Sequence, residues 1–478
     1  MDLTIDLGDR GDRSTRLYRA LREAIVDGRL PPGERLPPSR ELARRLGVSR
    51  GTVTVAYELL AAEGFVTGRV GSGTVVSADR PEPAYPVPPS PAPIPRPPIL
   101  PVIQSPAPTF DLRVGTPDPD LFPLGAWRRA VASVLQPEAF RDPANGDPAG
   151  IPALRAAISR HIGITRAVRA VPDQVVVTSG AQQGLDLVGR IAIRPGVTVA
   201  VEEPGYLPVR EAWSSLGGRV VGVPVDAEGI RVDALPDDAW LVHVTPSHQF
   251  PTGVTLSLAR RTALLAWAER RGAIIVEDDY DSEFRFRPRP LEPVQALDRS
   301  GSVVYVGSFS KTLSPRLRLG FLVAPARLVP ALVTARHLAD WTSEAITQLA
   351  MTELIDRGLL AWHLRRARKV YGRRHDVLVR EVEAGLGAWF ELAASSAGLH
   401  VCARVRAGSG LGAEGVEVVA ARLAGEGVAI ETLARYCAGE AQPGLVLGYG
   451  TIAEERIPKA VRRIVAAVRE VAGPGGSA

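Results

Sequence analysis

Thirteen of the 32 residues from Ala78 to Thr109 are proline, including the run PVPPSPAPIPRPP. Proline has no amide hydrogen to donate and its ring clashes with the preceding helical turn, so this stretch can build neither a helix nor a central strand. It favours extended, semi-rigid polyproline II. The 478 residues therefore divide into a head, a linker and a body, and each folded part must close its own core. The expected boundaries are 1–77 for the head, 78–109 for the linker, 110–348 for a large domain and 349–478 for a smaller one.

Apolar residues make up 45% of the chain and charged residues 23%, which excludes wholesale disorder. No apolar run is long enough for a spanning helix, and the polar start MDLTIDLGDRGDR has no secretory h-region. The two cysteines, Cys402 and Cys437, support neither a disulfide framework nor a zinc site, so no metal is expected. A cytoplasmic protein without membrane attachment is expected.

In the head, Leu17, Leu21, Ile25 and Val26 recur at helical spacing, with Gly28 near the stop. Ser39 is the expected cap of a short helix closed by Gly47, and Ser49 the cap of a second helix ending at Gly64. FVTGRVGSGTVVS then reads as a hairpin. Helix, tight turn, helix and hairpin make an α+β winged helix-turn-helix. Between Arg13 and Ser77 there are eleven arginines against six carboxylates, a local excess of about +5. Such an excess attracts double-stranded DNA through its phosphates, while a helix in the major groove reads bases. Arg50, Thr52 and Thr54 open the second helix, where base contacts belong. Arg40, Arg44 and Arg45 suit backbone phosphates, and Arg69 in the wing suits the flanking groove. The segment LPPSRELARRLGVSRGTVTVAYELLAAEGFVTGRVGSGTVV resembles GntR-type winged-helix repressors over nearly the whole head.

In the body, short apolar runs alternate with helical stretches, the pattern of an α/β domain with a largely parallel sheet; longer helices mixed with a few strands follow, as in a smaller α+β domain. Its chemistry centres on Lys311. Only three of the 57 basic residues are lysines, so the chain meets nearly every need for a cation with arginine. A lysine amine condenses with an aldehyde, which a guanidinium does not. Lys311 follows the strand SVVYV within GSFSKT, and Ser308, Ser310 and Arg318 are suited to a phosphate. The amides at Gly180, Ala181 and Gln182 open a helix after another strand, an anion site in waiting. Asp278 and Tyr280 leave the strand IIVEDDY, and Tyr206 follows a further one. All lie at carboxyl ends of expected strands, where open α/β sheets bind ligands. A phosphate cradle, an aldehyde-trapping amine and a carboxylate at one edge describe a site for pyridoxal 5'-phosphate. Asp278 is expected on its pyridine nitrogen, Tyr280 on its phenolic oxygen and Tyr206 on the ring face.

The run SFSKTLSPRLRLGF resembles the lysine motif of the fold-type I aminotransferases, class I/II branch. That resemblance implies a Schiff base at Lys311 and phosphate contacts from Ser308, Ser310 and Arg318. In HQFPTG, Phe250 stands where the family has asparagine on the ring oxygen, leaving His248 or Gln249 to substitute. Leu445 stands where a carboxylate-binding arginine is usual, leaving Arg435 as the candidate clamp for an effector. A GntR-type head on an aminotransferase-like body resembles the MocR/GabR bacterial regulators over the entire chain, with a pyridoxine-biosynthesis subgroup among the alternatives. The resemblance implies a head-to-tail homodimer that binds an operator, associates with the nucleoid when so bound, and senses pyridoxal phosphate or a small amine or amino acid through aldimine exchange at Lys311. The alternative is an active aminotransferase that carries a DNA-binding module.

Overall fold

The computed structural model describes residues 12–69, 73–77, 108–286, 292–395 and 397–472, which fall into two compact units, the head and the body. The expected linker lies outside the described residues apart from its last two, as do the turn of the wing and the side chain of Arg69.

In the head, α1 (Arg13–Val26), α2 (Ser39–Leu46) and α3 (Arg50–Ala62) precede a hairpin of β1 (Val66–Arg69) and β2 (Gly73–Val76). The apolar stripe of α1 explains its packing: Leu17, Leu21 and Ile25 are buried against Leu42, Val53, Ala56 and Leu60. Ser49 caps α3 by accepting the amide of Thr52. Ser39 is not a cap, contrary to expectation. Pro38 takes that position, α2 begins at Ser39 itself, and the Ser39 hydroxyl accepts from Arg50 Nε at 3.4 Å. A serine read as a cap has been displaced by the proline before it, whose extended ψ of 141° starts the turn.

The body contains β3 (Phe110–Asp111), β4 (Val175–Thr178), β5 (Thr198–Glu203), β6 (Arg219–Asp226), β7 (Gly229–Ile230), β8 (Ala239–Val244), β9 (Ile274–Asp279), β10 (Val303–Ser308) and β11 (Gly320–Val323). Eight of them form one sheet in the order β4-β11-β10-β9-β8-β5-β6-β7. Strands β10, β9, β8, β5 and β6 run parallel, whereas β11 is antiparallel to β10 and β4. Every residue of β4, β9 and β10 is buried, as expected of strands covered on both faces. The mostly parallel, doubly covered sheet is that of an open α/β domain.

Towards the carboxyl end, β12 (Phe390–Leu392), β13 (His400–Val405), β15 (Glu431–Thr432) and β16 (Gly444–Gly448) form an antiparallel sheet in the order β12-β13-β16-β15. Strand β14 (Val428–Ala429) pairs with β3 at the start of the body, Val428 opposite Phe110. That pairing carries the loop after β3 into the region where the large sheet ends. One buried ion pair also closes the contact: Arg374, on the helix Leu359–Leu386, donates to Asp118 Oδ2 at 2.5 Å, and both are nearly inaccessible. Among the described residues, no helix is long and apolar enough to cross a membrane.

Candidate functional site

The parallel strands release their chains at one edge. There, Ala181, Gln182, Tyr206, Asp278, Tyr280, Ser308, Ser310, Lys311, Arg318 and Arg435 line a single cavity of about 490 Å³. The ends of four strands of the large sheet, β4, β5, β9 and β10, bring all but Arg435 together, as expected at the carboxyl edge of an open sheet, and Arg435 comes from the C-terminal part.

Lys311 lies three residues after β10, and its Nζ donates to the carbonyl of Gly115. Surrounding protein strips water from this amine and lowers its pKa below the ordinary 10.5, although Asp281, Asp278 and Glu431 oppose the shift. A neutral amine has the lone pair that attacks a carbonyl. Between the lowered folded value and 10.5, the unfolded chain holds a proton that the folded chain has shed, so this group makes stability rise with pH in that window. Reaction of the Lys311 amine with a small aldehyde is accordingly expected to accelerate with pH through a midpoint below 10.5. Stopped-flow absorbance measures that midpoint; a value at or above 10.5 contradicts the burial argument.

On one side of the lysine, Ser308 Oγ donates to Ser310 Oγ at 2.9 Å and accepts the Ser310 amide at 3.1 Å. Arg318 has a left-handed backbone, φ 48°, and donates to the carbonyl of Ser179 at 2.5 Å. Its guanidinium sits where a β-carbon on Gly180 would approach it to 3.3 Å, and Gly180 itself has φ 85°, so glycine serves both the turn and the close approach. Gly180 thus stands behind Arg318 and is not part of the cavity wall. Beyond it, the helix Ala181–Ala192 starts with its amide end towards this cluster.

On the other side, Asp278 is buried and its Oδ1 has no hydrogen-bond partner. His243 Nε2 lies 3.5 Å behind its other oxygen. Burial, reinforced by Asp278, pushes the Tyr206 phenol up to about 12, and burial among carboxylates keeps Tyr280 neutral well above its ordinary value. Both rings are therefore phenols at any working pH. Phe250 packs edge-on against Tyr206, Tyr280 and Tyr436, with centroids 5.9, 5.8 and 4.9 Å away. The position read as a departure from the family pattern is thus the hub of an aromatic wall.

His248 is not a wall residue, which corrects the sequence expectation. It is buried beneath Tyr280, whose hydroxyl reaches its Nδ1 at 3.0 Å and its carbonyl at 2.9 Å. Gln249 is also turned away, donating to Glu202, to the Pro204 carbonyl and to the Phe250 carbonyl. The tight turn before Gly253 folds both side chains inward, Gly253 donating to the Gln249 carbonyl at 2.7 Å. Leu445 is buried within β16, whereas Arg435 is exposed on the short turn Leu433–Tyr436 at the cavity mouth.

Several wall residues escaped the sequence reading: Val114, Gly115, Leu399, His400, Glu431 and Tyr436. They come from the loop after β3 and from the C-terminal sheet. Glu431 accepts the Val114 amide at 3.1 Å and the Tyr436 hydroxyl, which ties these two segments together. No local motif marks them. Among the described residues, His248, Asp281 and His400 are close enough to share a metal ion. His248 Nε2 is engaged with Ser395 Oγ and His400 Nε2 with the Pro251 carbonyl, each at 3.1 Å.

In the head, Arg40, Arg44, Arg45 and Arg50 are exposed, and Thr52 and Thr54 are half-buried. Thr52 Oγ1 lies 2.9 Å from Ser49 Oγ, and Thr54 Oγ1 donates back to the Arg50 carbonyl at 3.1 Å. Arg45 pairs with Glu41 one turn earlier.

Residues 110–430 match the family described as aminotransferase class I and II, and residues 13–76 match the bacterial regulatory proteins of the gntR family. The chain is 34% identical over 476 residues to the probable rhizopine catabolism regulatory protein MocR of Rhizobium meliloti, covering 95% of this chain and 92% of that one. It is also 34% identical over 474 residues to the HTH-type pyridoxine biosynthesis transcriptional regulator PdxR of Corynebacterium glutamicum, covering 95% and 96%. Among solved structures, it is similar to LysN, the alpha-aminoadipate aminotransferase of Thermus thermophilus complexed with N-(5'-phosphopyridoxyl)-L-leucine. That match has a TM-score of 0.68 and 31% identity over 75% of this chain and 92% of that one.

Proposed function

Because the chain belongs to the MocR-type family, in which a GntR head is joined to a class I and II aminotransferase domain, we propose that it reads the occupancy of its pyridoxal phosphate site and reports it to an operator. The protein is a DNA-binding transcriptional regulator, and its cofactor is pyridoxal 5'-phosphate.

The residues present fit that group. The unpartnered, buried Asp278 Oδ1 awaits a donor such as a protonated ring nitrogen, and the left-handed Arg318 with Gly180 behind it forms a cradle that a β-carbon would crowd. Bound pyridoxal phosphate supplies an aldehyde for a primary amine and a ring that withdraws electrons. Lys311 is the chain's own amine. Arg318, Ser308, Ser310 and the amides of Ala181 and Gln182 would hold the phosphate, Tyr206 would cover one ring face and Tyr280 would donate to the phenolic oxygen. Arg435 would receive an effector carboxylate at the mouth.

The observation that carries the sensing reading is the partly desolvated Lys311 amine in a cavity whose far wall comes from the C-terminal segments. An amine that competes with Lys311 for the aldehyde would enter between the two walls. A ligand shifts DNA affinity only through different affinity for two arrangements of the protein, and a wall made of two segments offers such arrangements. The protein would act as a head-to-tail homodimer in the cytoplasm, on the nucleoid. Exposed apolar side chains on the body support self-association, Leu338 at 79%, Trp341 at 71% and Phe140 at 74% accessible. Two heads would then meet two half-sites.

The test is binding of the purified chain to the DNA upstream of its own gene, with and without pyridoxal phosphate and a panel of amines and amino acids. Affinity is expected to change at least about fivefold with one of these, the lower end of usual coupling. An operator affinity indifferent to all of them contradicts sensing. An aminotransferase carrying a DNA module draws on the same lysine site, and the similarity to LysN favours it. Turnover of amino donors with keto acids above about 1 s⁻¹ would establish that second reading.

A further inference from the structure

Beside Tyr280 lies a buried polar pair that the proposed cofactor contacts leave unused, with His248 beneath the ring and Asp281 on the cavity wall. His248 and Asp281 are 1% and 2% accessible. His248 Nδ1 lies 3.1 Å from Asp281 Oδ2 and 3.0 Å from Tyr280 Oη, and the Tyr280 hydroxyl donates to the His248 carbonyl at 2.9 Å. On the opposite edge of the ring, Nε2 lies 3.1 Å from Ser395 Oγ, and the Ser395 hydroxyl donates to the Ala397 carbonyl at 3.1 Å. Next in the chain, Gly398 has φ 88°, and a β-carbon there would fall 2.2 Å from His248 Cε1 and 2.5 Å from Asp281 Oδ2. Ala397 and Gly398 shortly precede β13, which opens with His400; that ring lies 4.6 Å from His248 and lines the cavity.

The hydrogen-bond arithmetic assigns roles. With Nδ1–H shared between a carboxylate and the phenol oxygen, the oxygen is pinned while its single proton stays free to turn. That proton has one acceptor inside, the His248 carbonyl, and a second whenever an oxygen occupies the cavity beside Tyr280. His248 Nδ1, Tyr280 Oη and Asp281 Oδ2 satisfy one another in this buried cluster, whereas Asp281 Oδ1 has no partner, so displacing any of the paired groups leaves a further one unsatisfied. We propose that His248 and Asp281 are positioning residues for Tyr280, and that Ser395 and Gly398 couple the phenol at the cofactor to the start of the C-terminal sheet. The inference rests on the pyridoxal phosphate reading and adds the route by which occupancy is felt in the C-terminal segment.

The experiment uses the full chain loaded with pyridoxal phosphate. At one fixed pH, it records the ratio of the bound cofactor's absorption bands and the affinity for pyridoxal phosphate. His248→Leu and Asp281→Asn are expected to change the band ratio and weaken the cofactor about five- to tenfold, the usual worth of one to two hydrogen bonds. His248→Asn keeps an N–H near the Nδ1 position and should recover at least half of the band change, a rescue that packing alone does not provide. Ser395→Ala, distant from the cofactor and only partly buried, should also change the ratio; it carries the test alone if the core variants fail to fold. A wild-type protein that stays colourless with pyridoxal phosphate overturns both the functional reading and this inference. A yellow wild type whose Ser395→Ala and folded His248 variants share its spectrum and affinity overturns only the inference.

Discussion

Lys311→Ala is expected to yield a folded protein that no longer develops visible absorption with pyridoxal phosphate and binds it at least a hundredfold more weakly, a loss of about 3 kcal/mol. The loss is large because the amine supplies a covalent attachment that the phosphate cradle cannot replace. The fold should survive. Lys311 is only partly buried, its neighbours Thr312 and Leu313 keep their packing, and removing a desolvated amine relieves a cost. Lys311→Arg should be equally colourless despite its charge, since a guanidinium does not attack aldehydes under these conditions. Either variant should still bind operator DNA but should no longer respond to pyridoxal phosphate or amines. Absorbance spectra, thermal melting and DNA titrations measure these outcomes. A retained visible band in Lys311→Ala would place the chemistry on another amine.

Arg50→Ala is expected to weaken operator binding about ten- to a hundredfold and to relax its sequence preference, the usual cost of 1–3 kcal/mol for a lost base contact. Arg50 is exposed at the start of α3, and its neighbours leave it as the longest donor there: the Thr52 hydroxyl is shared with the Ser49 cap and the Thr54 hydroxyl with the helix carbonyl. Arg40→Ala and Arg44→Ala should behave differently, lowering affinity for all sequences alike and reducing the slope of log affinity against log salt by about one each. Fluorescence anisotropy across a salt series separates the two classes. If Arg50→Ala lowers specific and non-specific binding equally, α3 does not read bases through that residue.

The legible parts of this protein share one property. Ser308 closes one strand and Ser310 and Lys311 follow it at once, Asp278 and Tyr280 stand at the end of another, and Ser49 caps its helix. In each case, the residues that act together are neighbours in the chain, so local pattern and chemistry suffice. His248 shows where that reasoning stops. Its sequence position beside Phe250 suggests the ring oxygen, but a turn of the backbone buries it under Tyr280, and only the contacts of Ser395 and Gly398 with it reveal what it touches. Gly115, His400 and Glu431 carried no signal, since each joins the wall through a pairing between segments far apart in the chain.

By itself, the amino-acid sequence determined the division into head and body, the alternation that forces a covered parallel sheet, and the choice of Lys311 as the lysine to test, which the fold places in the cavity. These follow from proline's missing donor, from the burial of apolar runs and from the chemistry of a primary amine. Tertiary structure alone decided which carboxylates and imidazoles face the cavity and which stand behind it. Side-chain direction at a loop depends on long-range pairing such as β3 with β14, and no short-range pattern encodes that contact.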